Sequence, residues 1–356
     1  MSISEYLDQL AAFEPTTAPV VSLYLNTRPD QRGRPNYDPY IRKEFANLER
    51  TYASRSVEGE SIARDAERIR AYLQQELQPS TNSLAIFACA AKDDFFVAVP
   101  LDTTVDEHQL YVGPHPHLYT LAKLHDQYRR YAAVIADTNF ARIVVFSQLK
   151  AIDTAVVDSP KVNRHQAGGW SQSRYQRSVD NERMHHAKDI VEALDKIVAA
   201  DEVEHIVFGG DEVIMPLLRS HLPPHLEQKV IDVLPIDIRT PEHEILRATL
   251  EAMRQKDAQD DVERVQRLFD EYRSGGLGAV GLRGTLQALE NGQVDTLLLS
   301  ASLNQIRSET GDEVESAAVD DLVAKARQTS AEVRFIEDPT LLATVGGVGA
   351  TLRYRI

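Results

Sequence analysis

The sequence predicts an α/β fold built from three domains in tandem, and two observations lead to this prediction. Short apolar runs typical of buried strands recur along the whole chain and alternate with amphipathic helical patterns. The chain of 356 residues is also long enough for two or three domains that each bury a core. We place these domains at residues 1–125, 126–234 and 235–356.

The first domain is predicted to carry helices packed on a small sheet. Residues 20–27 alternate apolar and polar side chains, as a half-buried strand does. In the second helix, Ile62, Ala66 and Ile69 recur at helical spacing. The predicted elements are strands at 20–27, 83–89 and 95–101, with helices at 40–51 and 58–77.

The middle domain is predicted to form a mixed sheet with crossover helices, because its later strands are separated by helical patterns. A long helix starting near Asn181 places Ala187, Val191 and Leu194 on one face. The predicted elements are strands at 132–137, 141–146 and 151–157, a helix at 181–199, a strand at 205–210, a helix at 212–221 and a strand at 229–234.

The third domain is predicted to be another α/β layer structure. Its glycine run, Gly275–Gly281, is similar to a dinucleotide-binding pattern but follows a helix instead of a strand, so it does not predict a nucleotide site. The predicted elements are a long charged helical region at 241–273, a helix at 282–291, a strand at 294–300, a helix at 313–329, a strand at 332–337 and a glycine-rich final strand.

Composition narrows the class of protein. The single cysteine, Cys89, excludes a disulfide framework and fits a reducing cytoplasm. A membrane span is not expected, because no apolar run reaches the roughly 18 residues that a spanning helix needs. The formal net charge of −15 argues against nucleic-acid binding over the whole surface, but leaves room for a local basic patch. No cofactor or metal is expected, and we predict a cytoplasmic protein.

One segment departs from this acidic background. Residues 161–177 hold four Lys/Arg and no carboxylate, with Gly168-Gly169 near the middle. They belong to a predicted loop at 158–180, between a strand and the long helix of the middle domain. Loops of this length tend to be functional or disordered. The basic charge predicts contact with an anionic partner.

Several segments, in one order, resemble the archaeal and eukaryotic class I peptide chain release factors. Ser22–Thr27 and Arg42–Arg50 are similar to the start of those proteins, and the Gly168-Gly169 loop resembles their Gly-Gly-Gln loop. Gly284–Leu299 and Gly346–Tyr354 are similar to their third domain, a ribosomal-protein-like α/β layer fold. The strongest likeness is to the bacterial branch of this superfamily, related to stalled-ribosome peptidyl-tRNA hydrolases and to Pelota.

The resemblance implies hydrolysis of the ester that joins a nascent peptide to tRNA on the ribosome. It implies that Gly168 and Gly169 form a hinge and that an amide, here Gln172, orients the attacking water. The side chains implied to bind RNA are Lys161, Arg164, Trp170, Arg174 and Arg177. The implied partners are the large ribosomal subunit, ribosomal RNA and peptidyl-tRNA, with a translational GTPase or splitting factor as a possible addition.

Two departures from the family leave alternatives open. Trp170 stands where the family has its glutamine, so Gln172 is the favoured amide, ahead of Gln176 and Gln166. Trp170 itself can be a buried anchor or a platform on which RNA bases stack. The Asn-Ile-Lys-Ser stretch of codon-reading relatives is missing near Ser54, which favours rescue of stalled ribosomes over stop-codon reading.

Two other functions remain as alternatives. One is a Pelota-like factor that binds ribosomes without hydrolysis. The other is an RNA nuclease, in which one metal-binding carboxylate would be Asp137, Asp153 or Asp211. Of the paired histidines that follow the loop, His186 is expected to face solvent or RNA instead of a metal.

Overall fold

The structure is a computed structural model, and it describes residues 2–30, 33–53, 55–158 and 172–355. These residues divide into two compact units, one formed by 1–127 with 260–356 and the other by 128–259. Within the described residues, no helix is both long and apolar enough to cross a membrane.

The amino-terminal part of the first unit is a four-stranded antiparallel sheet in the order β3-β2-β1-β4. Phe45, Ile62 and Ile69 from two helices pack on one face of this sheet. The elements are α1 Ile3–Ala11, β1 Val20–Asn26, α2 Asp38–Thr51, α3 Val57–Gln75, β2 Ser83–Cys89, β3 Phe95–Leu101, β4 Gln109–Gly113 and α4 Tyr119–Gln127.

The carboxy-terminal part of the same unit is a mixed four-stranded sheet in the order β10-β13-β11-β12, in which only β11 and β12 run parallel. Helix α10 connects those two parallel strands. The elements are β10 Gly278–Val280, α9 Gly281–Glu290, β11 Val294–Ser300, α10 Ser316–Gln328, β12 Glu332–Ile336, α11 Pro339–Leu342 and β13 Val348–Leu352, with short 3-10 turns at Leu303–Gln305 and Ala343–Val345.

One continuous hydrophobic core serves both sheets of this unit. Leu7 of α1, Phe87 of β2 and Leu121 of α4 are fully buried in the same cluster as Leu299 of β11 and Leu322 of α10. Burial of this kind stabilises a protein by about 25 cal/mol per Å² of apolar surface removed from water. The two ends of the chain therefore fold into a single compact unit.

The second unit holds a mixed five-stranded sheet in the order β7-β6-β5-β8-β9. Strands β5, β6 and β7 are antiparallel neighbours, whereas β5, β8 and β9 are parallel and need crossover connections. The elements are β5 Tyr131–Ala136, β6 Phe140–Ser147, β7 Lys150–Asp158, α5 Gln172–Ala200, β8 His205–Gly210, α6 Met215–His221, α7 Pro224–Glu227 and β9 Val230–Leu234.

Helices cover both faces of this sheet. Ile190 and Leu194 of α5 lie in the core on one face, together with Phe208 of β8. On the other face, Ile245 and Met253 pack against the sheet from the first half of the long helix α8, Glu242–Arg273. The second half of α8 packs in the first unit, on the carboxy-terminal sheet.

These sheets and helices confirm the predicted α/β class, including a mixed middle sheet with crossover helices. The predicted strands 83–89 and 95–101 are found with the predicted bounds. The predicted domain bounds themselves stay a prediction. One element differs clearly: α5 begins at Gln172, nine residues before the predicted start at Asn181. Its first turns are polar, so they lack the apolar periodicity used for the prediction, although Gln and Arg are good helix formers.

Candidate functional site

Strand β7 and helix α5 frame the segment in which the predicted site lies. β7 ends at Asp158, which pairs with Phe140 at the start of β6, and α5 begins at Gln172. Of the predicted loop at 158–180, residues 172–180 are helical. The predicted residues between these two elements are outside the described residues: Lys161, Arg164, Gly168, Gly169 and Trp170.

The other three predicted residues lie on α5. Gln172 is the first residue of the helix, and Arg174 is in its first turn. Arg177 begins the part of α5 for which side chains are described, and it is exposed to solvent. Among the described residues, Arg177 forms no ion pair or hydrogen bond. Gln172 is thus held at the point where the chain enters a long helix, and the roles predicted for all three residues remain predictions.

Helix α5 is fixed on the sheet by an apolar stripe. Ala187, Ile190 and Leu194 are fully buried among side chains of β5, β6 and β8. Side chains on one face of a helix recur every three or four residues, and these three follow that spacing. This stripe fixes the helix in place on the sheet.

His186 lies on the buried side of α5, so the prediction that it faces solvent or RNA is wrong. Its side chain is 1% exposed. Neither ring nitrogen has a hydrogen-bond partner among the described residues. The sequence spacing indicates that His186 lies on the buried face of the helix. Position 186 precedes Ile190 by four residues and Leu194 by eight, which places all three on one helical face.

Two acids of the nuclease alternative follow neighbouring strands, and the third lies apart from them. Asp137 and Asp211 directly follow the paired residues Ala136 and Gly210 at the carboxyl ends of β5 and β8, whereas Asp153 lies within the edge strand β7. Within the part of the chain that the structure describes, no group of three or more His, Cys, Asp or Glu side chains could hold a metal ion.

Asp137 and Asp211 instead stabilise local turns. Asp137 Oδ1 accepts hydrogen bonds from the backbone N–H of Asn139 at 2.7 Å and of Phe140 at 2.8 Å. Asp211 Oδ1 accepts one from Val213 N–H at 2.9 Å. Both acids are thus engaged as turn residues, a common role of Asp.

Two segments of the chain match known protein families. Residues 116–254 match the family model of bacterial archaeo-eukaryotic release factor family 10, and residues 258–356 match that of eRF1 domain 3. Two parts of the chain are thus similar to proteins of the archaeo-eukaryotic release factor superfamily. The first match includes β7, α5 and the segment between them. The two matches meet within α8, the helix whose halves pack in different units.

Curated members of this superfamily are distant relatives. A peptide chain release factor subunit 1 of Methanobrevibacter smithii is 25% identical over 271 residues, covering 64% of this chain and 66% of the relative. A Pelota homologue of Thermococcus kodakarensis is 26% identical over 204 residues, covering 54% of each protein. A Pelota homologue of Pyrococcus furiosus is 24% identical over 196 residues, covering 52% of this chain and 53% of the relative. The chain thus spans about two thirds of the first relative and about half of the Pelota homologues.

Solved structures of this superfamily are also similar. The archaeal translation termination factor aRF1 is 16% identical, with 99% of this chain and 97% of that one covered and a TM-score of 0.29. Dom34 of S. cerevisiae, described as a translation termination-like factor, is 10% identical. The match covers 77% of this chain and 79% of Dom34, with a TM-score of 0.46. A structure described as a model of ribosome-bound archaeal Pelota and ABCE1 is 15% identical, with 100% of this chain and 95% of that one covered and a TM-score of 0.45.

Proposed function

We propose that this protein is a ribosome-associated rescue factor that hydrolyses the ester between a nascent peptide and tRNA in stalled complexes, without reading a codon. The observation that carries the proposal is the match to a release-factor family over 116–254, the part of the chain that contains Gly168-Gly169 and Gln172. The proposed surroundings are cytoplasmic, and the proposed partners are the large subunit, its RNA and peptidyl-tRNA. A translational GTPase or splitting factor is proposed as a further partner.

The residue types suit hydrolysis surrounded by RNA. Glycines allow backbone conformations that other residues adopt at a cost, and so permit close approach to a substrate. A glutamine amide is uncharged, which lowers the cost of entering a site lined by phosphates. The reaction then needs a positioned water and donors for the developing oxyanion, which an amide and a backbone N–H supply without a titrating base. In this proposal Gly168 and Gly169 form the hinge and Gln172 orients the water.

The basic residues have a separate role in the proposal. Lys161, Arg164, Arg174 and Arg177 hold the loop against RNA phosphates, and Trp170 stacks on a base or anchors the loop. Phosphate contacts fix position without reading sequence, which suits a factor that acts on stalled complexes of any sequence.

A second candidate function is supported by Trp170. This residue stands where the family has its glutamine, and matched relatives include Pelota homologues. A Pelota-like factor would bind stalled ribosomes and release no peptide. The same loop would then serve only for docking.

Adding purified protein to stalled ribosomes and to large subunits that carry labelled peptidyl-tRNA distinguishes these functions. We expect release of free peptide, and we expect Gly169→Ala to slow it because the hinge stiffens. Sedimentation with ribosomes without release by the wild type would contradict hydrolysis and support the second candidate. Shortened RNA would contradict both and support the nuclease.

A further inference from the structure

Strand β7 is the longest of the described strands and lies at an outer edge of its sheet. It has nine residues, and none of the described strands pairs with its outer side. Three of the nine large apolar side chains that are exposed in the described residues lie on β7 or directly before it: Leu149, Ile152 and Val156. Val156 is 68% exposed, the largest value of the nine. An exposed apolar edge of this length is a surface on which another strand can pair.

The other outer strands are short or obstructed. β4, β9 and β10 have three to five residues. β3 contains Pro100, which has no N–H to donate. In β12, the backbone N–H of Phe335 already donates to Asp126 Oδ2 of α4 at 2.7 Å. Among the described edge strands, β7 therefore stands out in combining length, exposed apolar side chains and an open edge.

The backbone of β7 directs hydrogen-bonding groups away from the sheet. Thr154 N–H donates to Asp153 Oδ1 at 2.8 Å, on its own strand, which marks an N–H that faces away from β6. Successive residues of an antiparallel strand turn their N–H and C=O groups to alternate sides. Val156 and Asp158 therefore direct these groups outward as Thr154 does. The regular part of this edge is 153–158, because the register of β7 against β6 shifts just before Asp153.

This regular edge is complementary to a second copy of itself. When two copies pair antiparallel around Val156, the two Val156 side chains lie opposite each other. Thr154 then lies opposite Asp158 of the other copy on both sides of the centre, so that its hydroxyl can donate to that carboxylate. Ala155 lies opposite Val157 of the other copy, on the other face of the sheet. Each opposed pair is thus apolar with apolar, or donor with acceptor.

The neighbouring registers are less favourable. Centring the pair on Ala155 would place Asp153 opposite Val157, and centring it on Val157 would place Val156 opposite Asp158. Both arrangements oppose a carboxylate to an apolar side chain. Centring it on Thr154 would include the irregular part of the strand before Asp153. A shift by one residue between these registers would put opposed side chains on different faces. The pairing around Val156 is therefore the favoured one.

We propose that β7 is a self-association surface, through which two copies of this chain pair antiparallel around Val156 and join their five-stranded sheets into one continuous sheet. The contact is isologous, since the same residues contribute on both sides. It involves few residues and is smaller than a standard protein interface, so the dimer should have a dissociation constant in the micromolar range. This surface does not depend on the proposed function.

The test compares Val156→Lys with Val213→Lys. Val213 is also an exposed valine of the second unit, and β5 and β6 separate its position after β8 from β7. Sedimentation equilibrium at increasing protein concentration measures the mass, and circular dichroism checks that both variants are folded. The mass of the wild type and of Val213→Lys should rise from 39.9 kDa towards twice that value. Val156→Lys should dimerise about tenfold more weakly or less, because it places like charges opposite each other at the centre.

Cysteine substitution tests the register. The Cα atoms of a hydrogen-bonded antiparallel pair lie about 5.5 Å apart, which is within the range that a disulfide spans. The native Cys89 is buried, so an introduced thiol on the surface is the accessible one. Under mild oxidation, Val156→Cys should form cross-linked dimers, whereas Val213→Cys should stay monomeric on a denaturing gel.

A wild type that stays monomeric at every concentration would overturn the proposal, and so would undiminished dimerisation of Val156→Lys. Equal cross-linking of Val213→Cys and Val156→Cys would also overturn it. Both measurements are made without ribosomes or peptidyl-tRNA. A protein that releases no peptide but dimerises through Val156 would therefore contradict the proposed function and leave the self-association surface supported.

Discussion

His117 of the first unit and His186 of the second are both 1% exposed, yet their imidazole rings have different surroundings. Nδ1 of His117 lies 2.8 Å from Asp320 Oδ2, and Nε2 lies 3.1 Å from Thr120 Oγ1. The ring nitrogens of His186 have no partner among the described residues. An unsatisfied buried polar group costs about 1–3 kcal/mol of folding free energy, a cost that falls on the ring of His186 and that the partners of the His117 ring avoid.

The surroundings of His117 show how the first unit is held together. Asp320 of α10 also accepts hydrogen bonds from the backbone N–H of Leu118 at 2.9 Å and of Tyr119 at 3.0 Å, and so caps α4. Tyr111 stacks on the His117 ring with centroids 3.5 Å apart. Polar groups from distant parts of the chain are thus paired within the first unit. On α5, by contrast, the buried ring nitrogens of His186 have no such partner among the described residues.

Removal of Asp320 should produce the largest effect. Asp320→Ala leaves the His117 ring and the backbone N–H groups of Leu118 and Tyr119 without their buried partner. We therefore expect a loss of about 3–5 kcal/mol in the free energy of unfolding, measured by chemical denaturation. Its neighbour Asp321 is the matched control, since it is more exposed and pairs with Lys325 at 3.5 Å. Asp321→Ala should cost less than about 1 kcal/mol. Equal losses for the two variants would contradict a special role of the His117–Asp320 pair.

Asp65 of α3 should give the first unit a pH-dependent stability. The residue is 1% exposed, and burial raises the pKa of its carboxyl from 3.8 to about 7, although hydrogen bonds from the Ala90 backbone and the Ser61 side chain act in the opposite direction. The folded protein therefore holds this proton more tightly than the unfolded chain does. The associated stability is present at acidic pH and is lost as pH rises from about 4 to about 7, by at most about 1.4 kcal/mol per pH unit.

Asp65→Asn removes this titration. The free energy of unfolding of the variant, relative to the wild type, should rise as pH increases from about 4 to about 7. Glu67→Gln, on the exposed side of the same helix, serves as control and should retain the pH dependence of the wild type. A constant difference between Asp65→Asn and the wild type across this range would refute the assignment.

His186→Leu should produce the smallest effect, in the opposite direction from Asp320→Ala. Leucine fills a similar volume and leaves no polar group to desolvate, so thermal stability should stay equal or rise by up to about 1 kcal/mol. His185→Leu, one residue earlier and exposed, should leave stability within about 0.5 kcal/mol of the wild type. A marked loss for His186→Leu alone would show that the imidazole has a partner outside the described residues.

Local patterns in the sequence predicted much of the fold. Apolar runs located β2 and β3, and the apolar stripe of α5 was visible at 187, 191 and 194. Helix α1 was missed, although Ser2 and Glu5 form a capping box that the sequence spells out. The pairing of His117 with Asp320 joins residues 203 positions apart, and no local pattern carries information about such a contact.

The candidate site was predicted from residue type and family resemblance. Of its residues, the structure describes Gln172, Arg174 and Arg177 on α5. The start of α5 at Gln172 was missed because polar first turns give no apolar period. The unpaired state of Lys188 and the paired state of Lys196 could not be predicted, because both have carboxylates within four residues in the sequence. Only side-chain geometry distinguishes them.

The rate of peptide release by Gln172→Ala, at saturating factor on large subunits carrying peptidyl-tRNA, tests the central claim most directly. Gln176→Ala, four residues further along the same helix, is the matched control. If Gln172 orients the attacking water, its removal should slow release by about 10²-fold or more, while Gln176→Ala releases at close to the wild-type rate. Release by Gln172→Ala at the wild-type rate would contradict the account.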